Sequence, residues 1–392
     1  MCPLRDFQTR LYHQLLILRA RAIYSGLAQK FLLSQDPLFY TEFFQGSYTD
    51  SFIIFGGDFI RNIIKLGASP RICSYYSVVG SNEREGPLGD CFDHYSLDDK
   101  FEKDSWEKSE SEMQRLAVLG ALKKADLKDT DIDLLLAGDL LNQCVGSNYG
   151  LIDFDIPYVG LYGACSTCAL GLALASLLYN SGACRRCACV TSSHFCASER
   201  QFRFPLEYGG QRTPTSQWTV TGSGAFIVGG NGTVRVKEIV FGKSIDMGIT
   251  DINNMGAAMA PACIDTIKRF FSESELSVED FDLIVTGDLG YEGSKILKDL
   301  LLYEGIDIRK NHTDCGLMIY DRKKQDKHAG GSGCGCSASV LAGNILRRLE
   351  AKELKRILFI GTGALMSPLS LFQGGSIPAV AHLVHLEVEN DD

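Results

Sequence analysis

The sequence has no apolar stretch long enough to cross a bilayer. Its best candidate, Ala169 to Tyr179, is interrupted by Gly171 and Ser176 and falls well short of the ~20 residues that a spanning helix needs. It has no long run of Lys or Arg either. Its 39 basic and 48 acidic residues leave a net charge of -9, without the positive footprint that a nucleic-acid backbone demands. Nucleic acid is therefore excluded as a partner. No secretory signal is legible, because the apolar patch Leu15 to Leu18 is cut by Arg19 and Arg21 and no small-residue cleavage site follows. The expectation is an intracellular chain. In that setting its 14 cysteines should stay reduced and act mostly as small buried hydrophobes.

What is present is the composition of a folded protein, 45% hydrophobic and 22% charged. Residues before Ser69 are rich in Phe, Tyr, Leu and Ile (Phe31, Leu32, Leu33, Phe39, Tyr40, Phe43, Phe44, Phe52 to Phe55) but follow no clean period. From Pro70 the pattern becomes regular. Arg71 to Val79 reads as a strand, Glu85-Gly86-Pro87-Leu88-Gly89-Asp90 as a loop, Trp106 to Ala125 as an amphipathic helix and Ile132 to Ala137 as a buried strand.

The strongest organisational signal is an internal repeat. Asp131-Ile132-Asp133-Leu134-Leu135-Leu136-Ala137-Gly138-Asp139-Leu140 recurs, at an offset of 149, as Asp280-Phe281-Asp282-Leu283-Ile284-Val285-Thr286-Gly287-Asp288-Leu289. Each copy follows an amphipathic helix and ends in the same Gly-Asp-Leu turn. Further on, the small-residue segment at Gly163 to Thr167 and the strand Cys189 to Ser193 have counterparts in the segment at Cys334 to Ala338 and the strand Ile357 to Gly361, with Gly335 read opposite Cys165. Two βαβ-containing halves with apolar strands imply an internally duplicated α/β protein with sheets buried on both faces. The expected divisions are 1–68, an extension without recognisable motifs, then halves at 69–240 and 241–392. The extension is expected to be dispensable, and translation from near Asp58 is an alternative start.

Cys165 opens a stretch through Tyr179 that carries no charge, which fits a helix buried on every side. At such a helix start the macrodipole favours an anion and can draw a thiol toward thiolate. The strand after that helix delivers His194, and a second His, His328, precedes the glycine-rich run Gly330-Gly331-Ser332-Gly333, where backbone can approach a ligand closely. Cys165-x2-Cys168 and Cys184-x2-Cys187 have zinc-ribbon spacing, yet a helix between them would hold the pairs roughly 24 Å apart. No metal site is expected there.

These segments resemble the thiolase-like superfamily and, more narrowly, the stage V sporulation protein AD family, needed for dipicolinic acid (pyridine-2,6-dicarboxylate) to enter the developing spore. The resemblance runs from about Ser69 to about Glu387 and is carried by Glu85 to Asp90, Ala137 to Gln143, Gly160 to Thr167, Thr191 to Phe195, Gln201 to Gly209, Gln217 to Gly222, Asp246 to Gly248, Asn253 to Pro261 and His328 to Ser337. It implies a thiolase-like fold layered α-β-α-β-α, a nucleophile position at Cys165 and a homodimer. Condensing enzymes of the superfamily pair that Cys with a His at the strand end occupied here by Gly287-Asp288-Leu289-Gly290, and with a His or Asn before the glycine-rich loop. Neither is plainly present, although His194 and His328 are nearby candidates, and each such group is typically worth ~10²–10⁴-fold in rate.

The resemblance therefore implies a binding protein on an enzyme's fold. Its ligand would be dipicolinic acid, taken by Cys165, His194, Asp246, His328, Asn142, Arg203 and Arg212. No cofactor is expected, although Ca²⁺ accompanying the dicarboxylate would suit Asp246. Without a spanning helix the chain would be a peripheral component on the spore's inner membrane, working with membrane subunits of the same transport assembly. The alternative is an acyl-CoA condensing or thiolytic acyltransferase with Cys165 as nucleophile.

Overall fold

The computed structural model describes residues 62–202 and 211–389. The expectations for residues 1–61, including the alternative start near Asp58, lie outside the described residues. Residues 62–68, assigned to the extension from sequence, belong instead to the folded body. Ile64 and Lys65 pair with Ile239 and Glu238, while Ile63 and Leu66 are buried.

Ten strands carry the architecture. They are β1 (Arg71–Val79), β2 (Leu134–Gly138), β3 (Tyr158–Gly160), β4 (Cys187–Ser193), β5 (Gly222–Gly229), β6 (Val234–Val240), β7 (Leu283–Thr286), β8 (His312–Asp314), β9 (Arg356–Ala364) and β10 (Ala379–Val388). Their order across the sheet is β8-β7-β9-β10-β6-β1-β5-β4-β2-β3, with His94–Tyr95 and Ile64–Lys65 as short additions. The order is the same pattern twice, β1-β5-β4-β2-β3 and β6-β10-β9-β7-β8. Register repeats as well: Leu134 pairs with Cys187, and its repeat partner Leu283 pairs with Ile357. In each half the strands carrying the sequence repeat lie parallel to both neighbours, and the last strand returns antiparallel. The topological division falls between β5 and β6, so 234–240 goes with the second half rather than the first.

Six helices complete the layers: α1 (Trp106–Lys124), α2 (Thr167–Asn180), α3 (Phe195–Phe202), α4 (Met255–Glu273), α5 (Gly290–Tyr303) and α6 (Cys334–Val340). The repeat helices α1 and α4 are both capped by a polar side chain, Ser105 accepting from the Lys108 amide and Asn254 from the Ala257 amide. Three apolar clusters define the stacking. Met113, Ala117 and Ala121 of α1 pack on Leu135, Val190 and Ile227. Met259, Ile267 and Phe270 of α4 and Leu297 of α5 pack on Ile284, Leu358 and Leu383. Between the two sheet halves lie Ala169, Leu172 and Ala173 of α2 and Cys336, Ala338 and Val340 of α6, against Cys189, Phe226, Phe359 and Val384. This is the thiolase-like α-β-α-β-α arrangement.

Small residues let the central helices approach the sheet. A Cβ on Gly363 would lie 2.3 Å from the Gly163 carbonyl oxygen, and one on Gly335 would lie 2.2 Å from the Gly222 oxygen. The turns entering α2 and α6 also match, with left-handed backbone at Ala164 (φ 48°) and Gly333 (φ 102°).

Candidate functional site

Cys165 sits in a short helical turn, Ala164–Ser166, immediately before α2. It forms part of the floor of a cleft where the two halves meet. One wall is apolar, from Leu140, Ile252, Met255, Ala364 and Met366; the other is polar, from Ser198, Glu199, Thr219 and Ser332. Thr219 donates its hydroxyl to Glu199 Oε1 at 2.9 Å. Ser198 is 1% exposed and its Oγ has no hydrogen-bond partner among the described residues, an unspent polar atom on the cleft wall.

Behind Cys165 lies Asp288, the second-half copy of Asp139. Asp139 binds its own turn, accepting from the Leu141 and Ser147 amides and the Ser147 hydroxyl at 2.8, 2.8 and 2.6 Å. Asp288 instead accepts from the Gly333 amide and the Thr362 hydroxyl, each at 2.8 Å, and meets the Cys165 thiol. It therefore ties the start of α6, strand β9 and the cleft floor together. Burial lifts its carboxyl to about 6 despite these donors.

The same neighbourhood reverses the expectation for Cys165. Burial comes first, then the negative field of Asp288 and the adjacent Cys334 and a hydrogen bond to Asp288; together they push the thiol well above its ordinary value, and the Gly333 amide offsets only part of this. The helix start does not make a thiolate here. Cys334 donates to the Ser192 carbonyl at 2.9 Å and is likewise pushed up by burial. None of the thirteen described cysteines is paired.

None of the other expected site residues that are described lines this cleft. His194 is buried one turn behind the polar wall: its Nε2 donates to the Asp99 carbonyl at 2.8 Å, and its carbonyl accepts from the Ser198 amide at 2.9 Å. Burial holds that imidazole below its usual range. His328, in strained backbone (φ 39°), has both ring nitrogens engaged, with the Thr213 carbonyl at 2.6 Å and Asp326 at 3.1 Å. Arg212 also holds Asp326, at 2.8 Å, and its guanidinium stacks 4.8 Å from the Trp218 ring. This cluster supports the cleft from behind, through the short ladder in which Trp218–Thr219 pairs with Gly331–Ser332.

Asp246 is exposed, held by the Gly248 amide at 2.8 Å and the Ser376 hydroxyl at 2.5 Å, so it neither orients a histidine nor faces the cleft. Asn142 is exposed in the turn after β2. Arg203 lies outside the described residues. The shared pocket of Cys165, His194, Asp246 and His328 is thus not formed. Asp288 was the site residue the sequence reading passed over. Its signal is the repeat itself, which places a second Gly-Asp-Leu turn at Gly287-Asp288-Leu289.

The family model for stage V sporulation protein AD matches residues 61–387. The stage V sporulation protein AD of Bacillus subtilis (strain 168) is 45% identical over 312 residues, covering 79% of this chain and 92% of that protein. Among solved structures, a crystal structure of Xanthomonas campestris OleA aligns with a TM-score of 0.52 at 15% identity, over 81% of this chain and 98% of that one. A cerulenin-bound form of OleA aligns with a TM-score of 0.52 at 14% identity, over 82% and 100%. These structures share the fold. The sequence matches go further, and the chain belongs to the stage V sporulation protein AD family of sporulation proteins.

Proposed function

We propose that this chain binds pyridine-2,6-dicarboxylate in the Cys165 cleft and supports its entry into the developing spore, as a peripheral component of a membrane transport assembly on the spore's inner membrane. The ligand comes from the family resemblance. The observation that carries a binding role is the Cys165–Asp288 contact, which holds the thiol neutral at the position where a condensing enzyme needs a nucleophile. The cleft also suits a flat ring edged with acceptors. Ile252, Met255 and Met366 offer an apolar face, while Ser198 and Ser332 offer hydroxyl donors.

No helix among the described residues is long and apolar enough to cross a membrane, so transport would require separate membrane subunits. β3 ends the sheet with all three residues exposed, an open edge on which a second copy can extend it. Isothermal titration with pyridine-2,6-dicarboxylate, with and without Ca²⁺ and with benzoate as control, tests the reading. Saturable heat for the dicarboxylate alone or with Ca²⁺ supports it, and its absence in both conditions rejects it. The acyltransferase reading would need the Gly333 amide, which donates to Asp288 in the free cleft, to turn to an acyl oxygen beside Cys165 instead. It requires an acyl adduct on Cys165 after incubation with acyl-CoA, read by intact mass.

A further inference from the structure

We infer that the cleft takes up its dicarboxylate together with a proton, and that Asp288 receives that proton. The inference rests on the ligand reading above and adds to it the charge state in which the site is filled.

The argument begins with what surrounds Asp288, which is 0% exposed. The turn before α2 presents the Cys165 thiol, and the start of α6 presents the Gly333 amide with the Cys334 and Cys336 thiols. Strand β9 presents the Thr362 hydroxyl. The end of β8 presents Asp314, a second fully buried carboxylate, and Cys315 follows it. Among these described neighbours there is no Lys, Arg or His. Asp288 is a buried carboxylate stabilised by neutral donors alone, with another acid beside it.

An anion bound at Cys165 stands one hydrogen bond further out. Two like charges about 6 Å apart at an effective dielectric near 20 repel enough to move the titration of the buried acid up by roughly two pH units. Burial already places Asp288 at about 6, so near neutrality it is mostly ionised in the free cleft and mostly protonated in the filled one.

The thiol makes this exchange possible without moving any heavy atom far. In the free cleft Cys165 S–H donates to Asp288. When solvent protonates Asp288, the new O–H donates to Cys165 Sγ, and the thiol hydrogen turns outward to donate to the ligand carboxylate. One O–H bond forms, one solvent proton is consumed and no other bond changes. A residue that both donates and accepts is needed at position 165 for this relay, which a cysteine or serine supplies and an alanine does not.

The test is isothermal titration of the full chain with pyridine-2,6-dicarboxylate at pH 7.0 in phosphate and in Tris, buffers with very different heats of ionisation. The expected result is heats that differ by the amount corresponding to most of one proton taken up. Affinity should fall several-fold to tenfold per pH unit between pH 6.5 and 8. Asp288→Asn, uncharged like the protonated acid, should bind with the same heat in both buffers and without that pH dependence. This arm also separates Asp288 from Glu199 and Tyr162, the other titratable groups on the cleft wall besides Cys165. Saturable binding by the unaltered chain with identical heats in the two buffers overturns the inference and leaves the ligand reading standing, as does undiminished proton uptake by Asp288→Asn. Absence of saturable heat in either buffer rejects the ligand reading and the inference with it.

Discussion

Replacing Gly335 by alanine is a direct test of how tightly the central layer is built. The new Cβ would lie 2.2 Å from the Gly222 carbonyl oxygen and 2.6 Å from the Ser193 amide nitrogen, where real Cβ contacts do not fall below 3.0 Å. Both obstacles are backbone, one in β5 and one in β4, so no side-chain rotation relieves them. Helix α6 must instead back away by most of an ångström from a layer in which all seven of its residues are buried. Overpacking of a core typically costs ~1–3 kcal/mol, and backbone on two strands puts this case at about 3. Alanine regains about 1 kcal/mol over glycine in helix propensity, leaving a net loss of about 2 kcal/mol. Equilibrium urea unfolding measures it. Gly67→Ala is the control, because nothing lies within 4 Å of its Cβ, and it should change stability by less than ~0.5 kcal/mol. A Gly335→Ala chain as stable as the unaltered one would refute the close approach of α6 to the sheet.

Most of the fold was legible because a period and a duplication point the same way. The apolar runs at Leu134 and Leu283, with the same Gly-Asp-Leu ending, locate two equivalent strands, and the structure gives them equivalent neighbours in register. The charge-free stretch after Cys165 could only be a helix buried between layers. The site was less legible, for two physical reasons. Motif residues such as His194 and His328 lie close along the chain to groups that line the cleft, but His194 Nε2 is spent on the Asp99 carbonyl, and both His328 nitrogens are spent on the Thr213 carbonyl and Asp326. Sequence proximity reports the element and not the direction of the side chain. The acidity of Cys165 is not legible in the sequence, because a helix dipole is worth only ~0.3–1 kcal/mol at the surface and the depth of burial is not written in the residue types. In the folded chain, burial beside a carboxylate outweighs it.

Three further outcomes are expected. Cys165→Ala should lower affinity for pyridine-2,6-dicarboxylate while costing no more than about 1.5 kcal/mol in urea unfolding, since only one small side-chain atom is removed; undiminished affinity would take Cys165 out of the site. Val159→Lys, on the exposed edge strand β3, should convert a dimer to a monomer in sedimentation, and an unaltered chain that is already monomeric would show that the edge is left unpaired. Glu83→Gln should flatten the dependence of stability on pH. Glu83 is 1% exposed, receives the Tyr320 hydroxyl and, at 3.1 Å, the Thr221 amide, and burial lifts its carboxyl to about 7 from an ordinary 4.5. Because the folded state holds this proton more tightly than the unfolded state, the stabilisation is complete below pH 4.5 and is lost as pH rises through 7, a change of about 3 kcal/mol. Glutamine keeps the acceptor oxygen for both donors and never ionises. Neighbouring Lys327, lowered to about 8 chiefly by burial, stays charged in the folded chain over most of that window, so the loss of its attraction to ionised Glu83 subtracts from the gain at high pH. The variant should therefore stay within about 1 kcal/mol of the unaltered chain at pH 5 and exceed it by ~1–3 kcal/mol at pH 8. Unfolding profiles that run parallel between those two values would show that Glu83 is ionised in the folded protein throughout.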